Sequence, residues 1–146
     1  MGTAPKTLRT PTGWLMVLTQ GDDLIAELAR LARDEDVPSA SFTGFGFGGE
    51  VTFGFFDFAS RTYRPATFTD REMTGITGTV AWKDGEPSVH AHGVGCGADF
   101  TVAGGHLLAL TVGRGSLEMT LTVHAHRLAR TEEPALGANI LRLSPG

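Results

Sequence analysis

Leu117-Glu118-Met119-Thr120-Leu121-Thr122-Val123-His124-Ala125-His126 alternates apolar and polar residues over ten positions without a break. In an extended chain successive side chains point to opposite faces. Leu117, Met119, Leu121, Val123 and Ala125 therefore share one face, and Glu118, Thr120, Thr122, His124 and His126 the other. One apolar and one polar face is the pattern of a strand in an antiparallel sheet with its outer side in water. The His124-x-His126 pair lies on that polar face and reads as solvated, at most a weak adventitious site with Glu118.

Working outward, the same period of two recurs through most of the chain. Trp14 to Leu18, Ser39 to Phe47, Val51 to Phe58, Tyr63 to Phe68, Glu72 to Trp82, Ser88 to Gly95, Phe100 to Val102 and His106 to Val112 read as further strands. Gly48-Gly49 is expected to be a tight turn between two of them, and Gly113-Arg114-Gly115 another turn. Lys83-Asp84-Gly85-Glu86-Pro87 is a hairpin signal. Arg130 to Gly137 reads as turn, and Ile140 to Leu143 as a short closing strand. Only one segment has a helical period. Asp22 and Asp23 suit the positive end of a helix dipole, and Leu24, Ile25, Leu28 and Leu31 follow as an apolar stripe, ended by Asp34-Glu35-Asp36 and Pro38. The expected fold is α+β, a single domain with a largely antiparallel sheet and one flanking helix. It spans 13–146, behind a leader of residues 1–12, bracketing Pro5 and Pro11, that is expected to fray.

With 146 residues the chain is long enough to bury a core without staples. Its formal net charge of -4 gives no general attraction to nucleic acid, and Arg61, Arg64 and Arg71 read as a solvated loop surface rather than a basic patch. Cys96 is the one cysteine, so no intrachain disulfide forms and a reducing, cytoplasmic setting is expected. It reads as a small buried hydrophobe. No apolar run has the length of a membrane span, the N-terminus lacks the apolar core of a signal peptide, and Lys6 stands where a myristoylation motif needs Ser or Thr. There is no nucleophile elbow, Walker loop or dinucleotide fingerprint. Gly44-x-Gly46-x-Gly48-Gly49 leads into a strand rather than a helix, which disqualifies it as a phosphate loop.

The chemistry is concentrated in Val89-His90-Ala91-His92 and Gly104-Gly105-His106. His90 and His92 project from one face of a strand, and His106 arrives on the next. Three imidazoles aimed at one point make a metal site with a fourth position open. Neutral imidazoles suit a divalent metal, zinc first. Catalysis there would need an acid or base, for which Glu72, Glu86, Asp99 and Cys96 are the candidates by proximity in sequence.

Taken in order, these segments resemble a known family, the PPC domain (plants and prokaryotes conserved domain), of the stand-alone prokaryotic type. The resemblance runs through Gly21-Asp22-Asp23-Leu24, Thr43-Gly44-Phe45-Gly46, Val51-Thr52-Phe53-Gly54-Phe55-Phe56-Asp57 and Glu72-Met73-Thr74-Gly75-Ile76-Thr77-Gly78. It continues through Lys83-Asp84-Gly85-Glu86-Pro87, Val89-His90-Ala91-His92, Gly104-Gly105-His106-Leu107-Leu108 and Leu136-Gly137. It implies a homotrimer, a divalent-metal site at His90, His92 and His106, and a family-level label of DNA binding. The plant members earn that label with AT-hooks. Gly113-Arg114-Gly115 lacks the proline and flanking basic residues of an AT-hook, so DNA as a partner rests on analogy. A cupin is excluded, because Gly93-Val94-Gly95-Cys96-Gly97 has no glutamate after the His-x-His pair. Two other readings stay open: a metal-dependent enzyme acting on a small molecule in a pocket between protomers, and an interaction module whose aromatic Phe53 to Phe58 strand covers a partner.

Overall fold

The computed structural model describes residues 6–144. Its elements in chain order are β1 (Thr7–Thr10), β2 (Gly13–Thr19), α1 (Leu24–Asp34), β3 (Ser39–Asp57) and β4 (Thr62–Lys83). They continue with β5 (Glu86–Cys96), β6 (Val102–His124), β7 (Ala129–Glu133) and β8 (Ala138–Arg142). The expected α+β class holds: one helix lies against a sheet that is antiparallel except for a single parallel pairing, Trp82 with Ala129.

The helix begins where the carboxylates stand. Asp23 is the N-cap, and its side chain accepts a hydrogen bond from the Ala26 N–H at 2.9 Å. Asp22 accepts from the Thr19 N–H and from Lys6, which also reaches Glu27, so the segment before β1 is tied to the helix start. Leu24, Leu28, Leu31 and Ala32 are buried against the sheet. The sheet's inner face supplies the rest of the core: Met16 and Leu18 from β2, Phe42, Val51 and Phe53 from β3, Ile76 and Val80 from β4, and Leu107, Leu110, Leu117, Met119 and Leu121 from β6. The alternation of Leu117, Met119 and Leu121 is thus the core face, as its period demanded.

Strand pairing follows β1-β2-β6-β3-β4-β7-β8, and β5 pairs with both β4 and β6. The pairings β3–β4–β5–β6–β3 therefore close on themselves. This closure places the start of β6 beside β5 and the remainder beside β3.

Five expectations are corrected. Gly48-Gly49 is no turn; Ser39 to Asp57 is one long strand, with register shifts at Gly44/Gly46, Gly46/Gly48 and Gly48/Glu50. Gly113-Arg114-Gly115 likewise lies inside β6, which runs on to His124, and β4 is continuous from Thr62 to Lys83. Glycines here bend strands instead of ending them, because Gly49 and Gly113 face each other so closely that a Cβ on Gly49 would lie 2.9 Å from the Gly113 Cα. Arg130 to Gly137 is partly strand, since β7 pairs with β8. Residues 7–10 of the leader are strand β1, paired with β2, while residues 1–5 lie outside the described part. The hairpin at Asp84-Gly85 is as expected, with both residues at positive φ, 52° and 80°.

Candidate metal centre

Ala91, between the two histidines of β5, is 2% exposed. The strand's period of two then turns His90 and His92 together to the outer side. The β5–β6 register sets His92 directly opposite His106. His106 is also where β6 changes partner, for on its other side it faces Gly54 of β3. The β5–β6 pairing is what delivers the third imidazole.

The three rings form a nearly equilateral triangle, with centroids 5.2, 5.2 and 5.3 Å apart. Each offers a ring nitrogen, and these atoms lie within 4.8 Å of one another. Tetrahedral zinc, with Zn–N near 2.0–2.1 Å, wants its nitrogens about 3.4 Å apart, a gap that modest rotation of the imidazoles closes. The protonation state also fits. Burial, reinforced by His90 and His92, lowers the His106 pKa to about 4. Burial lowers His90 as well, followed by the effects of Arg130 and His92. Neutral imidazole is the form that ligates a metal.

Tyr63 stacks on His106, with centroids 4.5 Å apart and planes inclined by 25°. Its hydroxyl lies 3.5 Å from His106 Nδ1, at the outer limit of a hydrogen bond. Burial raises the Tyr63 pKa, which keeps the phenol protonated. Phe56 packs edge-on against both Phe58 and Tyr63, at 5.0 Å in each case. Beside this aromatic wall a cavity of about 490 Å³ opens onto His90 and His106, and Arg130 and Glu132 from β7 line it as well.

The other residues singled out by sequence go elsewhere. Glu86 pairs with Arg33, and Asp99 accepts from the Thr101 backbone N–H and hydroxyl. Glu72 and Cys96 are cross-strand partners that line a different cavity, and Cys96 is half-buried rather than fully buried. The carboxylate lining the triad's cavity is that of Glu132, which no spacing indicated. His124 accepts or donates one hydrogen bond with the Ser41 hydroxyl at 2.9 Å, while the His126 carbonyl accepts from Ser39. Neither joins a ligand cluster among the described residues. Arg64 and Arg71 lie over Phe55 and Phe68 respectively, so the three arginines form no patch, and Arg61 lines the triad's cavity. Sequence reasoning missed Tyr63 and Arg130, whose proximity to the histidines depends wholly on long-range pairing.

The model of the Plants and Prokaryotes Conserved (PCC) domain matches residues 6–125. The chain belongs to this family. Among solved structures, a protein from Ralstonia eutropha JMP134 that carries a provisional DNA-binding label is 52% identical, with a TM-score of 0.93, covering 95% of this chain and 96% of that one. A plant- and prokaryote-conserved (PPC) protein from Pyrococcus horikoshii is 24% identical, with a TM-score of 0.83 and 97% of both chains covered. A protein from Archaeoglobus fulgidus described as metal-containing is 23% identical, with a TM-score of 0.78, covering 86% of this chain and 89% of that one. No curated protein matches. Among the described residues of this PPC-family chain, no helix is long and apolar enough to cross a membrane.

Proposed function

We propose that this PPC-domain chain is a metal-binding module, working in the cytoplasm as a homotrimer and holding a divalent cation, zinc first, through His90, His92 and His106. The observation that carries this reading is the convergence of three imidazole nitrogens within 4.8 Å on neighbouring strands. The depressed basicity of His106 supports it, because no proton competes for that ligand near neutral pH. The donor set suits the metal: His90, His92 and His106 would leave one position open, at which zinc would supply Lewis acidity. The relative described as metal-containing is in keeping with the reading.

Elemental mass spectrometry of purified, untagged protein tests it. About one zinc per chain is expected, and His90→Ala loses it. Equal metal content in both proteins would overturn the proposal.

DNA binding is the second reading, favoured by the label on the relative that is 52% identical. A net charge of -4 opposes it. Fluorescence anisotropy with a labelled duplex decides the matter: true phosphate contacts give an affinity that falls steeply as salt rises. No binding at low salt removes this reading.

A further inference from the structure

Arg130 is 4% exposed, yet it has no carboxylate partner among the described residues. Its Nη2 donates to the Thr79 carbonyl at 3.0 Å and to the Thr79 hydroxyl at 2.6 Å, while its buried Nε has no acceptor. A buried guanidinium is costly unless an anion compensates it, and leaving N–H groups unpaired adds to the cost. Among the described residues no acid pairs with this side chain; it lines the cavity onto which His90 and His106 open. Thr79 is the cross-strand partner of His90, so the hydrogen bonds to Thr79 fix the guanidinium beside the histidine triad.

The cavity's other charges are Lys83, Arg61 and Glu132, an excess of positive charge with Arg130 included. Phe56, Phe58 and Tyr63 give the cavity an aromatic wall. With Nη2 taken by Thr79 and Nε buried, a carboxylate would meet the guanidinium at Nη1, as a charge-assisted hydrogen bond. The aromatic wall leaves an apolar surface for the organic part of such an acid, which inorganic phosphate lacks. We infer that this cavity is a binding site for a small organic carboxylate, whose charge is held by Arg130 next to the histidine triad. The site adjoins the proposed metal centre, but the guanidinium contact does not require the metal.

Isothermal titration calorimetry with benzoate, its neutral analogue benzamide and inorganic phosphate tests this, on protein whose zinc content is measured in the same sample. Benzoate is expected to bind at least tenfold more tightly than benzamide or phosphate. Arg130→Gln abolishes that preference, and Lys83→Gln, at a more accessible position, weakens benzoate several-fold if Arg130→Gln fails to fold. In the unaltered protein the Nε–H resonance of Arg130, assigned from its loss in Arg130→Lys, shifts on adding benzoate. Equal binding of benzoate and benzamide, tighter binding of phosphate, or an unmoved resonance overturns the inference, even in protein that holds zinc. Protein that lacks zinc but still takes benzoate overturns the metal reading and sustains this one.

Discussion

His106 shows how much one residue can owe to its surroundings. It faces His92 across one strand pair and Gly54 across another, and Tyr63 covers its ring. Burial first, and then His90 and His92, hold its pKa near 4, against 6.5 in a free chain. As pH falls, the unfolded chain therefore takes up this proton before the folded one does. The stability tied to the neutral ring is fully present above pH 6.5 and is lost as pH falls through about 4. In protein freed of metal by chelation, the melting temperature should drop more steeply from pH 6.5 to 4 than it does in His106→Gln. Parallel pH profiles would show that the ring's burial carries no such linkage. The candidate acids and bases chosen by proximity in sequence show the converse. Glu86 and Asp99 lie near the histidines in sequence, but their side chains are taken up by Arg33 and Thr101.

At the scale of elements, the helix and the glycine-rich strands differ in how openly they are written. Helix α1 follows local rules: a capping Asp23, an acid in the first turn (Glu27), a base in the last (Arg33) and a four-residue apolar face. The long strands β3 and β6 do not, because Gly-Gly is the signal both of a tight turn and of a bend. Choosing between them requires knowing what lies opposite, and opposite Gly49 lies Gly113. Gly49→Val should therefore destabilise the fold by about 1–3 kcal/mol, since the new Cβ must push backbone rather than a flexible side chain. Urea unfolding measures it, and an unchanged midpoint would mean the two strands bend with room to spare.

For the whole molecule, the open question is assembly. Phe45, Phe55, Phe100 and Val102 are 55%, 68%, 82% and 68% exposed, much apolar surface for a single chain to leave in water. This supports association between copies of the chain, for which we propose a homotrimer. Light scattering coupled to gel filtration should give the mass of three 15.4 kDa chains, and chelation should leave it unchanged, because apolar contact between strands rather than the metal would hold the subunits. A monomer before chelation contradicts the trimer, and a monomer only after it makes the metal structural.

The sequence by itself determined the α+β class, the single helix with its cap, the core face of Leu117, Met119 and Leu121, and the pairing of His90 with His92 on one strand side. These follow from periods of 2 and 3.6 residues and from capping chemistry, which act over a few neighbours. Only the tertiary structure decided that His92 stands opposite His106, that Tyr63 lies on the triad, and that Arg130 from a stretch read as turn reaches the same cavity. Those contacts arise from the pairing of β6 with β5 and β3, of β3 with β4, and of β4 with β7. Strand pairing and its register join residues distant in the chain, and no local period encodes them.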